Sequence, residues 1–121
     1  MKKTYIVPAA LACFLLGITV FMQPASTEPA AKRIEVVAHR FAFSPAEITL
    51  KNGEAVVLVL KSSDVSHGLR IHELNIDAKI PKGGTTEVRL TPKETGNFVG
   101  HCSVFCGSGH GEMTFAIHVV E

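Results

Sequence analysis

The sequence has no tryptophan, a single tyrosine and three cysteines, and its charges are evenly balanced. Twelve lysines and arginines stand against eleven aspartates and glutamates, a formal net charge of +1. Two of the cations are Lys2 and Lys3, so the chain from Thr27 onward carries one net negative charge. That balance excludes a nucleic-acid surface, which needs clustered basic charge. There is no internal repeat, no low-complexity tract and no helical period beyond the N-terminal segment. No serine, histidine and aspartate arrangement and no carboxylate pair suggests a separate catalytic centre.

What is present begins with the N-terminus. After Lys2 and Lys3, the eighteen residues from Tyr5 to Met22 carry no charge. As a helix they would span about 27 Å, close to the hydrocarbon thickness of a bilayer and longer than the core of an ordinary signal peptide. No clean A-x-A cleavage site follows, so an uncleaved membrane anchor is expected, with a cleaved signal, or a lipoprotein held through Cys13, as the alternatives. The two lysines keep the N-terminus in the cytoplasm by the positive-inside tendency and place the rest outside. The expected organisation is an anchor or signal segment over 1–23, a linker over 24–32 ("PASTEPAAK") and one small domain over 33–121. Outside the cytosol two nearby thiols normally pair, so a Cys102–Cys106 disulfide is the plain alternative to any metal site.

Within the domain, "IEVVAHRFAF" alternates Ile34, Val36 and Ala38 with Glu35, Val37 and His39, and "AEITL" follows a Ser44-Pro45 break; both predict strands. "KNGE" supplies a turn, and "AVVLVL" (Ala55 to Leu60) predicts a strand buried on both faces. "KSSDVSHG" is a polar loop ending in His67 and Gly68. "LRIHELNIDAKI" is ambiguous in period, while "TTEVRL", "NFVGHC" and "MTFAIHVVE" predict further strands. In the last of these, Met113, Phe115, Ile117 and Val119 share one face. Short strands separated by turns indicate an all-β, antiparallel Greek-key sandwich or barrel.

The chemistry gathers in "CSVFCGSGHGEM", Cys102 to Met113, a loop between two neighbouring strands. If the "DVSHGL" loop lies at the same end of the sandwich, His67 joins Cys102, Cys106, His110 and Met113. Two thiolates, two imidazoles and a thioether suit copper better than magnesium or calcium, and better than a structural zinc site, which rarely uses methionine. From Cys106 alone, Cys-x3-His-x2-Met with an upstream histidine is the donor set of a mononuclear blue-copper site. Cys102, four residues earlier, allows two bridging thiolates and a pair of copper ions. His39, His72, His101 and His118 lie on strands or turns and are left outside the site.

The run Cys102-x3-Cys106-x3-His110-x2-Met113, with "DVSHG" upstream, resembles the binuclear copper A (CuA) site of cytochrome c oxidase subunit II. "FAFSPAEITLKNGE" and "DVSHGLRIHELNIDAKIPKGG" resemble the short, single-span subunit II of b-type haem-copper oxidases. The resemblance implies a cupredoxin-like Greek-key β-sandwich, preceded by one transmembrane or signal helix. It implies two copper ions bridged by Cys102 and Cys106, one bound by His67 and one by His110, with Met113 and the Val104 carbonyl as weak axial ligands. It further implies electron transfer from a c-type cytochrome or another cupredoxin to a haem-copper subunit I in the membrane. Val104 occupies the position of a glutamate that helps to hold magnesium in the longer type, so no such magnesium site is expected. The missing tryptophan removes that type's usual aromatic patch. A free-standing cupredoxin, for copper delivery or for another respiratory chain such as nitrous oxide reduction, is the alternative.

Overall fold

The computed structural model describes residues 23–25 and 30–121. The expected anchor over 1–23 lies almost wholly outside these residues, as do Cys13 and most of the linker. Among the described residues no helix is long and apolar enough to cross a membrane.

Among the described residues nine strands form two sheets. They are β1 (Lys32–His39), β2 (Ala42–Ser44), β3 (Glu47–Lys51), β4 (Val56–Ser62), β5 (His67–Ile71), β6 (Ile76–Ile80), β7 (Thr85–Leu90), β8 (Gly96–His101) and β9 (Thr114–Val120). One sheet has the order β2-β1-β4-β7 and the other β3-β9-β8-β5-β6. The all-β sandwich is as expected, but it is not wholly antiparallel. β1 runs parallel to β4, and β3 parallel to β9. Parallel neighbours need a crossover, and β2 and β3 provide it by carrying the chain from the first sheet to the second before β4 returns beside β1.

The stretch "IEVVAHRFAF" is two strands rather than one. β1 ends at His39, and β2 folds back on it in the register Val37↔Ser44, Ala38↔Phe43 and His39↔Ala42. Parity explains the break. In one continuous strand Phe43 would lie on the face opposite Val36 and Ala38, whereas after the turn at Arg40 and Phe41 it enters the core and is 2% exposed. The ambiguous "LRIHELNIDAKI" resolves into the β5–β6 hairpin, closed by a 3-10 turn over His72–Leu74 and by Asn75 in the left-handed region. His67 belongs to β5 rather than to the preceding loop.

β4 is buried from Val56 through Leu60, as its unbroken apolar run predicts. β9 alternates as predicted, with Phe115, Ile117 and Val119 inside and Thr114 and Val120 exposed. Phe43 and Phe115, from opposite sheets, pack with their rings tilted by 58° and centroids 5.7 Å apart. Cys102, Cys106 and Met113 belong to this same buried cluster, so the donor loop is an extension of the core.

Candidate metal centre

β8 and β9 pair antiparallel from Gly96↔Val119 to His101↔Thr114, and the Cys102 amide donates to the Met113 carbonyl at 3.0 Å. The ladder therefore continues one step into the loop and pins Cys102 and Met113 at its neck. From there the chain reaches Cys106 and then a 3-10 turn over His110–Glu112. Gly107 (φ +138°) adopts a conformation rare for other residues, and a Cβ there would come within 2.9 Å of the Phe41 ring. A Cβ on Gly109 would come within 2.6 Å of the same ring. "GSG" thus lets the loop pass directly under Phe41.

All six residues singled out in the sequence come together. The Cys102 and Cys106 sulfurs are free and 3.9 Å apart. His67 Nδ1 lies 3.8 Å from Cys102 Sγ, and His110 Nδ1 lies 3.6 Å from Cys106 Sγ. Met113 Sδ is 3.9 Å from Cys106 Sγ, and the Val104 carbonyl accepts from the Cys102 thiol at 3.1 Å. His67 and Met113 are 0% exposed, Cys102 1% and Cys106 4%; His110 and Val104 are half-buried. The donor atoms of His67, Cys102 and Cys106 all lie within 4.8 Å of one another. Burial, followed by the bond with Cys102, pushes the Cys106 thiol up to about 11.

Three further residues, which the spacing pattern does not single out, shape the site. Asp64 Oδ1 lies 2.7 Å from His67 Nε2 and accepts the Val65 amide at 2.6 Å, while Oδ2 accepts the Arg40 amide at 2.7 Å. Burial pushes the Asp64 carboxyl up, but the bonds from His67, Arg40 and Val65 outweigh it and hold the group at about 2. An ionised carboxylate there requires the proton on Nε2, which leaves the Nδ1 lone pair facing Cys102. Arg40 also donates from Nε to the Cys106 carbonyl at 2.9 Å, and Phe41 covers the glycines. The aspartate three residues before His67 was a signal in the sequence. Arg40 and Phe41 gave none, because their contacts are made across the fold.

The remaining histidines stay outside. His118 bonds Asn97 at 2.6 Å and Glu47 at 3.2 Å, His39 is near its neighbour's carbonyl, and His72 and His101 are exposed.

The donor chemistry fits copper. Sulfurs 3.9 Å apart are closer than twice a metal–thiolate bond of about 2.3 Å, so one ion can touch both. Each sulfur has an imidazole nitrogen beside it, and no carboxylate oxygen enters the set, which disfavours magnesium and calcium.

A family model described as a cupredoxin-like domain matches residues 11–115. Cytochrome c oxidase subunit 2 of Thermus thermophilus is 33% identical over 95 residues, which covers 78% of this chain and 70% of that relative. The chain belongs to the cytochrome c oxidase subunit II family of cupredoxin-like domains. It spans 56% of a second, longer subunit 2 sequence of Thermus thermophilus, again at 33% identity. Among solved structures, the periplasmic domain of subunit II of cytochrome oxidase of Bradyrhizobium japonicum shares the fold, with a TM-score of 0.69 at 20% identity over 77% of this chain and 87% of that one. A chain of a heme-copper terminal oxidase dimer is similar with a TM-score of 0.67 at 27% identity, covering 88% of this chain and 83% of that one. The first residue of β5, His67, and the loop after β8 supply all the candidate donor side chains.

Proposed function

We propose that this chain is the copper-bearing, electron-transferring part of a subunit II in a cytochrome c oxidase, with a binuclear centre. The observation that carries the reading is the pair of buried thiols 3.9 Å apart, each with a histidine Nδ1 within 3.8 Å. Cys102, Cys106, His67 and His110 would be the residues that hold the two copper ions, with Met113 and the Val104 carbonyl as weaker donors. When bound, the copper pair supplies a one-electron redox couple.

The protein supplies fixed positions for it. Asp64 holds His67 in the tautomer that presents Nδ1, the Cys102–Met113 backbone bond fixes the loop neck, and Arg40 braces the Cys106 carbonyl. Burial of Cys102, Cys106 and Met113 keeps water from the sulfurs. His110 is half-buried, with the Phe105 ring centroid 5.5 Å from its own. With every donor supplied by the chain, the site suits a carrier rather than a substrate-binding catalyst.

Membership of the family supports a reading of the partners. Subunit I of a haem-copper oxidase takes the electron, a c-type cytochrome or another cupredoxin provides it, and the domain over 33–121 stands outside the cytoplasm behind the anchor over 1–23.

The test is copper per chain, together with the electron paramagnetic resonance hyperfine pattern. Two coppers sharing one unpaired electron are expected. One copper with a single-nucleus pattern would make this a mononuclear carrier, and rapid loss of copper to a chelator would make it a delivery protein.

A further inference from the structure

Arg40 stands in the turn between β1 and β2 and is no ligand candidate, yet it touches both halves of the site. Its amide donates to Asp64 Oδ2 at 2.7 Å, and the other oxygen of Asp64 faces His67 Nε2. Its side chain donates from Nε to the Cys106 carbonyl at 2.9 Å. The next residue, Phe41, lies over Gly107 and Gly109. One turn therefore bears on the His67 half through its backbone and on the Cys106 half through a cation.

The strand before it fixes that turn. The Ala38 carbonyl accepts the Ser63 amide at 3.1 Å, so the pairing of β1 with β4 runs on past Ser62 into the loop that carries Asp64. The Arg40 amide makes the next link. The side chain is thus directed at Cys106 from an anchored base, and its main-chain bond does not depend on what side chain is present.

A guanidinium keeps its positive charge throughout the working pH range. No carboxylate offsets the charge of Arg40, because the ion pairs among the described residues take Arg33, Lys61, His67, Arg70 and His118. Arg33 and Arg70 donate from Nη2 to exposed carboxylates; Arg40 instead spends its Nε–H on the main chain of a candidate copper ligand. Its charge reaches the sulfur as well. Burial and the neighbouring Cys102 push the Cys106 thiol up, and the charge of Arg40 pulls against them. An electron added to a metal held there removes one positive charge from the centre, which a nearby cation favours.

We propose that Arg40 is a positioning residue of the copper centre, whose guanidinium tethers the Cys106 carbonyl and whose charge raises the reduction potential of copper bound at Cys106. The proposal rests on the copper reading above. The electron is the one the centre already exchanges, and no bond is made or broken. Tether and charge are separable, since the tether needs the Nε–H and the charge needs only a cation. Because Arg40 is exposed, added salt screens the charge and leaves the tether.

The test compares Arg40→Met and Arg40→Lys with the parent full chain, all of which keep the main-chain bond to Asp64. In the isotope-labelled, metal-free parent, the Arg40 Nε–H is expected to exchange with water several-fold more slowly than those of Arg33 and Arg70. In the copper-loaded chains, voltammetry is expected to place Arg40→Met below the parent and Arg40→Lys near it. The gap between parent and Arg40→Met should narrow between low and about 0.5 M salt. An Nε–H that exchanges as fast as the others would overturn the tether. Equal potentials in parent and Arg40→Met, or equal falls in both variants, would overturn the role of the charge. So would copper lost more readily to a chelator by Arg40→Met at an unmoved potential, the mark of a merely structural prop. If the potentials are as expected but the chain holds a single copper, the role of Arg40 stands and the binuclear reading falls; a chain that holds no copper takes both down.

Discussion

At the scale of single residues, the two histidine ligand candidates differ in how they are held. His67 is fully buried and its far nitrogen faces Asp64, whereas His110 is half-buried and leans on an exposed ring. Asp64→Asn leaves the shape but loses the carboxylate that fixes the tautomer, and partners of this kind change metal affinity by about 10–100-fold. A loss of copper affinity in that range, read by chelator competition, is expected. Cys102→Ser should abolish the binuclear spectrum and leave at most one copper. Met113→Leu should keep both coppers and shift the potential, since a thioether is a weak ligand; voltammetry checks it. The six candidates were legible because their spacing along the chain is itself the pattern. Asp64 lies next to that pattern but is no part of it. Arg40 was out of reach, since 66 residues separate it from the Cys106 carbonyl it bonds.

At the scale of elements, the site is where strands stop being regular. β5 begins at His67, and β8 and β9 extend their ladder just far enough to seat Cys102 and Met113. Close backbone approach at two glycines makes this possible. A Cβ on Gly68 would collide with Ser103 Oγ and come within 3.1 Å of Val104 Cγ2. Gly68→Ala must therefore push the cysteine loop outward, and both stability and copper retention should fall. A Cβ on Gly100 would collide with the backbone of Arg70, its carbonyl carbon 3.2 Å away. Backbone cannot move aside as a side chain can, so Gly100→Ala is expected to cost about 1–3 kcal/mol or more. A urea midpoint equal to that of the parent would contradict this. Strand content was legible from alternation, but the break at Arg40 and Phe41 was not, because only burial of Phe43 in a three-dimensional core reverses its face.

At the scale of the whole molecule, the core and the metal site are one cluster, so each should stabilise the other. Phe115, 0% exposed and packed against Phe43, should cost about 3–5 kcal/mol when cut to alanine, a large share of the roughly 5–15 kcal/mol of a small domain. Copper present a thousandfold above its Kd adds about 4 kcal/mol, a rise in Tm of roughly 15–30 °C. Calorimetry of the metal-free and loaded chains should show that rise, and coincident transitions would mean that the folded donors do not hold the ion. The sequence by itself determined the β class, the buried β4, the alternation of β9 and the choice of donor candidates, because periodicity and spacing are properties of neighbours along the chain. Only the tertiary structure decided the two parallel pairings, the meeting of His67 with the cysteine loop and the Asp64 and Arg40 braces. Those depend on which distant segments share one end of the sandwich, and packing of the two sheets sets that.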